Sequence, residues 1–131
     1  MSEETYLDLV EKAASVLQNS YAPYSNIHVS SAILCSDGKV YLGVNVENSS
    51  LGLTICAERA AIASMITNGC RKPLIVVIVA DTDKPIPPCG ACRQVIAEFN
   101  HDAVVVMYSV KSRELLVKPL SELLPLPFSL K

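Results

Sequence analysis

A chain of 131 residues, half of them apolar and 18% charged, is globular rather than disordered, and as one domain over residues 1–131 it can bury about two thirds of its unfolded surface. Its net charge of −2 supplies no excess of Lys and Arg to hold a phosphate backbone, which argues against a nucleic-acid polymer as partner. No apolar run reaches the roughly 18 residues of a membrane span, and the start Met1-Ser2-Glu3-Glu4 is acidic where a signal peptide is basic, so no membrane association and a cytoplasmic location are expected.

Ser2 is placed to cap a first helix, with Glu3 and Glu4 at its positive end. Leu7, Val10, Ala13, Ala14 and Leu17 form an apolar stripe at helical spacing. Val29 to Cys35 and Val40 to Val46 read as a hairpin around the turn Ser36-Asp37-Gly38-Lys39. Ile55 to Asn68 predicts a helix ended by Gly69. This helix is apolar nearly all round, so one sheet cannot cover it and a second copy's helix is expected on the other side. The continuous Val- and Ile-rich run Leu74 to Ala80 fits a strand buried on both faces. A proline-rich turn leads into a helix from Cys89 to about Phe99; Ala103 to Tyr108 and Glu114 to Lys118 follow as strands, and Leu120 to Leu124 as a short helix. The order implies a mixed sheet with helices on both faces.

Two short phrases carry the chemistry, Cys56-Ala57-Glu58-Arg59 and Pro88-Cys89-Gly90-Ala91-Cys92-Arg93. Cys89 and Cys92, three apart at a helix start, share one face, and Cys56, 33 positions earlier, can supply a third sulfur. Three protein ligands leave a tetrahedral Zn²⁺ with an open position, the pattern of catalytic rather than structural zinc. Two residues after the first ligand stands a carboxylate with no ligand duty, Glu58. A ligand-x-Glu paired with Pro-Cys-x-x-Cys is the signature of zinc deaminases, in which the glutamate shuttles protons. Residues i and i+2 of a helix face nearly opposite ways, so Cys56 and Glu58 can share a pocket only if Cys56 sits at the helix entrance. Three thiolates around one dication leave a net negative site, and Arg59 and Arg93, each in the first turn of a helix, are candidates to offset it; Arg59, on the same face as Cys56, can donate to its sulfur. A redox Cys-x-x-Cys pair is the alternative, yet it needs neither Cys56 nor Glu58. A structural zinc would want a fourth ligand, which the sequence does not offer.

Other polar positions are less specific. Asn45 and Glu47 alternate on one expected strand and so face the same way, an amide and a carboxylate suited to ribose hydroxyls. His28 and His101 do not precede a glutamate by two and are read as structural or solvated. Five cysteines are an odd count that argues against a disulfide framework, so Cys35 and Cys70 are expected to be free thiols, Cys35 in the core.

Together with Tyr21-Ala22-Pro23-Tyr24-Ser25, Asn45-Val46-Glu47-Asn48, Thr54-Ile55, Gln94, Leu123-Leu124-Pro125 and Phe128-Ser129, these phrases make the chain similar to the small homotetrameric cytidine deaminases over nearly its whole length. The resemblance implies a three-layer α/β/α sandwich around a five-stranded mixed sheet. It implies zinc on Cys56, Cys89 and Cys92, with Glu58 as proton shuttle and Arg59 neutralising thiolates. The nucleoside would meet Asn45, Glu47 and Ala57, and Phe128 would pack on the base from a neighbouring subunit. Ile27, Ser30-Ser31 and Leu51 depart from the family's usual residues and bear on substrate identity. Blasticidin S deaminase is a relative with a similar zinc pattern.

Overall fold

The computed structural model describes residues 2–131. Ser2 caps α1 (Glu3–Ala14) by accepting the Thr5 N–H at 3.3 Å, with Glu3 and Glu4 in the first turn. Then come β1 (Val29–Cys35), β2 (Val40–Val44), α2 (Ala57–Thr67), β3 (Pro73–Ala80), α3 (Gly90–Phe99), β4 (Val104–Ser109), β5 (Leu115–Pro119) and α4 (Leu120–Leu123). The five strands form one sheet in the order β2-β1-β3-β4-β5, antiparallel except for the pair β3 and β4, which is parallel. A parallel pair needs a crossover, and α3 supplies it.

The two sheet faces carry separate cores, and β3 explains why its sequence is apolar without a break. Ile75, Val77 and Val79 pack with Leu9, Val10 and Ala13 of α1 on one face. Val76 and Ile78 pack on the other face with Ile62 and Met65 of α2 and Ile96 of α3. Each such side chain, fully buried, stabilises the fold by about 1.5–3 kcal/mol. The result is the expected three-layer arrangement.

Glycine decides how closely α2 sits on the sheet. A Cβ at Gly43 of β2 would collide with the backbone nitrogen of Ala61 and the carbonyl oxygen of Ala57. Only hydrogen fits there, so helix and strand meet backbone against backbone. At its far end α2 stops where Gly69 takes a φ of +90°, the left-handed conformation that closes many helices.

Two expectations change. β2 ends at Val44, not Val46: Val46 instead exchanges single bridges with Tyr21 and Ile55, so residues 45–47 leave the sheet between two neighbouring segments. Cys35 and Cys70 are not free thiols but a disulfide linking the end of β1 to the loop after α2. The odd cysteine count misled because three of the five belong to another cluster, and the remaining two meet only through the tertiary fold. The short 3₁₀ turns Leu17–Asn19 and Leu51–Leu53 have no clear sequence signal.

Candidate metal centre and active site

Cys56 and Cys89 are the residues immediately before α2 and α3, both extended, while Cys92 lies buried in the first turn of α3. The Cys56 and Cys89 sulfurs are 3.9 Å apart, those of Cys89 and Cys92 3.5 Å, and all three lie within 4.8 Å of one another. Ligands at the 2.3 Å zinc–sulfur distance of a tetrahedral site are separated by about 3.8 Å. The three sulfurs are therefore spaced to hold one metal ion, and no fourth His, Cys, Asp or Glu ligand joins them among the described residues.

Electrostatics give the same answer. The neighbouring Cys92 thiol, aided by the Arg59 guanidinium, holds Cys56 down at about 5. Cys92 goes the other way, pushed far up by its hydrogen bond to Cys56, by burial and by the Glu58 carboxylate. Protein groups alone thus ionise one sulfur at the expense of another. A dication among them removes that conflict, because metals bind cysteine as thiolate. Both helix N-termini point their free N–H groups at the same place and favour negative charge there.

Glu58 follows in the first turn of α2 and is 4% exposed. Burial raises its pKa to about 7. With Cys56 just outside the helix, the i and i+2 side chains do open into one cavity of about 180 Å³, shared with Ala57, Cys89 and Asn45. Val29, Ile86 and Pro87 give it apolar walls. Ile86 and Pro87 adjoin the second ligand phrase, whereas Val29, at the start of β1, carries no sequence signal for the site. A larger hollow of about 420 Å³ lies beside α1. Its one candidate pair, His28 Nδ1 and Asp81, is already closed on itself at 2.7 Å, so we place the site where sulfur, carboxylate and amide converge.

The arginines divide. Arg59, three residues from Cys56 on the same helix face, donates through Nη2 to the Cys56 sulfur at 3.8 Å and to the Thr54 carbonyl at 3.2 Å; its buried Nε has no partner. Arg93 turns elsewhere. It donates to the carbonyls of Pro88 at 2.7 Å and Leu123 at 3.1 Å and to no sulfur. One residue beyond Cys92 on a helix is a turn of about 100° away from it, which aims Arg93 at the C-terminal segment.

Asn45 and Glu47 are buried and bond mainly to the segment before β1. Asn45 Oδ1 accepts the Val29 N–H at 3.0 Å and the Ser20 hydroxyl, and its Nδ2 donates to the Ile27 carbonyl at 2.9 Å. Glu47 accepts the N–H groups of Tyr24 at 3.0 Å and Ser25 at 3.1 Å, and the Ser25 hydroxyl. The Ser25 hydroxyl first, then those N–H groups, keep its carboxyl below the usual range. Asn45 lines the cavity; Glu47 stands outside its lining. Ile27 and Leu51 are exposed and do not line it either. Ser30 and Ser31 are buried for packing, their hydroxyls donating to the Ala13 and Val77 carbonyls at 2.7 Å each. The Phe128 ring is 70% exposed, and its backbone is held by Gln94, a contact that the sequence reading missed.

Residues 3–108 match the family model described as the cytidine and deoxycytidylate deaminase zinc-binding region. The cytidine deaminase of Halalkalibacterium halodurans is 41% identical over 121 residues, 92% of this chain and 92% of that one. The Blasticidin-S deaminase of Bacillus cereus is 30% identical over 131 aligned positions, 94% of this chain and 91% of that one. The crystal structure of cytidine deaminase from Burkholderia pseudomallei superposes with a TM-score of 0.89 at 40% identity, covering 98% of this chain and 100% of that one. The matched region contains all three clustered sulfurs, and zinc is the cofactor they fit. The chain belongs to the cytidine and deoxycytidylate deaminase zinc-binding family.

Proposed function

We propose that this chain is a cytidine deaminase: it hydrolyses the C4 amine of free cytidine and deoxycytidine, giving uridine or deoxyuridine and ammonia, in pyrimidine salvage in the cytoplasm. The observation that carries this reading is a buried carboxylate, Glu58, sharing one small cavity with Cys56 and Cys89, two of the three metal-spaced sulfurs. In it Cys56, Cys89 and Cys92 hold one zinc, and residues 1–131 act as one catalytic domain.

Bound zinc supplies a Lewis acid that lowers the pKa of a water from 15.7 towards about 7. Glu58 takes a proton from the attacking water and delivers it to ring nitrogen N3. The resulting hydroxide oxygen adds to C4; Glu58 then takes the second proton from that added hydroxyl and passes it to the amine, which leaves as ammonia while the C4 carbonyl forms. Burial pushes the Glu58 carboxyl up, which lets it hold a proton between taking one and giving one. Arg59 offsets the negative sulfurs from the Cys56 side. Arg93, by its bond to the Pro88 carbonyl, holds the loop that carries Cys89.

Asn45 at the cavity wall suits a ribose hydroxyl. Glu47 already accepts three donors, and a carboxylate has about four lone-pair sites, so one remains for the sugar. Ala57 lies at the α2 N-terminus on the cavity wall, where its backbone N–H can meet the base. No residue lining the cavity is cationic, and Arg59 and Arg93 are committed elsewhere. This favours an uncharged nucleoside over a 5′-monophosphate.

The same reading includes a homotetramer with shared sites. Ala63 on α2 is exposed, as are Leu51, Leu53, Ile55 and the Phe128 ring, an apolar surface suited to a second copy. Phe128 then packs on the base in the neighbour's cavity. A related aminopyrimidine nucleoside such as blasticidin S is the second reading, favoured by the Bacillus cereus relative.

Ammonia release by zinc-loaded protein is the test, with cytidine, deoxycytidine, deoxycytidine 5′-monophosphate and blasticidin S as substrates. The two free nucleosides should lead. Preference for the monophosphate, or no release from any, overturns the proposal.

A further inference from the structure

The segment after α4 is too apolar to be left free, yet its side chains point outward: Leu126 and Leu130 are about nine-tenths exposed, at 90% and 91%. What holds it is its backbone. The Gln94 side-chain amide meets Phe128 twice, Nε2 donating to the Phe128 carbonyl at 2.8 Å and Oε1 accepting the Phe128 N–H at 3.2 Å. This is the two-bond exchange that a paired strand residue would make, here made by one side chain. On either side lie single ties, Arg93 to the Leu123 carbonyl and Lys131 to Glu98.

The geometry points to Gln94 as the positioning residue that presents the Phe128 ring. Gln94 sits one helical step beyond Arg93, in the second turn of the helix whose start carries Cys89 and Cys92. It therefore fixes the ring's backbone to the same rigid element that bears two metal-spaced sulfurs. With both main-chain groups of Phe128 tied down, the ring does not fold back: it stays exposed and stands outside the lining of its own cavity. Its destination is the cavity of a second copy, so this inference rests on the shared site proposed above. An exposed pair such as Lys131 with Glu98 is worth little, whereas two hydrogen bonds from one planar amide define an orientation. A ring held in place in advance loses less freedom on meeting the base.

A kinetic double-mutant cycle on zinc-loaded enzyme, with Gln94→Ala, Phe128→Ala and the double variant, tests this. Zinc content is measured alongside. Gln94→Ala should keep its zinc and its kcat and raise KM for cytidine on the order of tenfold, as loss of two exposed hydrogen bonds allows. Phe128→Ala should raise KM at least as much. The double variant should be no worse than Phe128→Ala alone, because Gln94 acts only through that ring. Gln94→Glu, which loses the donor and keeps the acceptor position, should fall between wild type and alanine. An effect of Gln94→Ala that adds in full to Phe128→Ala, or that appears as zinc loss, overturns the assignment, as does an unchanged KM. If Phe128→Ala itself leaves KM unchanged, the shared site fails as well, which separates the two claims.

Discussion

The two ends of α2 present the same element, sulfur, in opposite states. At the N-terminal end Cys56, Cys89 and Cys92 are held 3.5–3.9 Å apart along the contacts they make. At the C-terminal end Cys35 and Cys70 are bonded to each other across 35 residues of chain. The reactive group stands at two helix starts, where N–H groups and Arg59 favour thiolate. The bonded group sits among apolar side chains of the core, with Ile33, Tyr41 and Met65 in the same cluster. Surroundings rather than residue type set the chemistry: a charged cluster is open to an ion, and a buried neutral pair is inert.

Breaking the reactive end should have the largest effect. Cys89→Ala leaves two sulfurs, and the protein should lose its zinc and its activity together, read by metal analysis and ammonia release. Glu58→Gln separates the metal from the proton shuttle. It should retain zinc and lose on the order of 10² to 10⁴ in kcat, the usual worth of general acid–base catalysis. Substantial turnover by a zinc-replete Glu58→Gln enzyme would remove the shuttle role.

The bonded end should affect stability and leave chemistry alone. Opening a loop of 35 residues by Cys70→Ala, or by reduction, should cost about 3–4 kcal/mol on the chain-entropy account and lower Tm on the order of 10 °C, with kcat at 25 °C unchanged. Thermal unfolding with and without reductant checks it. A kcat that fell with the bond would mean that the two ends are coupled through α2.

Smaller effects sharpen the contrast. Arg59→Ala removes a cation beside Cys56, so a proton leaves the site less readily and the acid limb of the pH–rate profile should move up by about one unit. An unchanged limb would make Arg59 a packing residue. At the other end Asp37, in the turn after Cys35, accepts the Tyr41 hydroxyl at 2.6 Å and the Lys39 N–H at 2.9 Å. The Tyr41 bond, then that from Lys39, holds its carboxyl below the ordinary value. A lowered folded pKa gives stability that is present above the unfolded value, about 3.9, and is lost as pH falls through the folded one. Asp37→Asn should therefore flatten the fall in stability below about pH 4 while leaving kcat untouched. Chemical denaturation at several pH values measures this.

Much of this was legible in the residues. Helical spacing, turn signals and the unbroken apolar run of β3 placed the strands and helices to within a residue or two, because each element's apolar residues were destined for a core. The spacing of Cys56, Glu58, Cys89 and Cys92 indicated a three-sulfur cluster with a free carboxylate, because both phrases open helices and local geometry then does the rest. What depends on tertiary meeting was hidden. No local rule says that the end of β1 lies beside the loop after α2, so Cys35 and Cys70 read as free thiols. Asn45 and Glu47 looked like the end of a strand, whereas bonds to Ser20, Tyr24 and Ser25, more than 20 residues earlier in the chain, draw them out of the sheet. Arg93 read only as a cation near the sulfurs; its bonds to the carbonyls of Pro88 and Leu123 depend on where the C-terminal segment lies.

Gly43 gives the reactive end its anchorage. Where side chains separate a helix from a sheet, they can change rotamer and let the helix roll. Here bare backbone touches bare backbone, so α2 has no such bearing and cannot shift on β2 without moving the strand. Position 43 is therefore closed to every other amino acid for steric reasons, although it lies on a strand and carries no chemistry. A swap as mild as alanine would lift the helix that follows Cys56 and dislocate a sulfur and a carboxylate together.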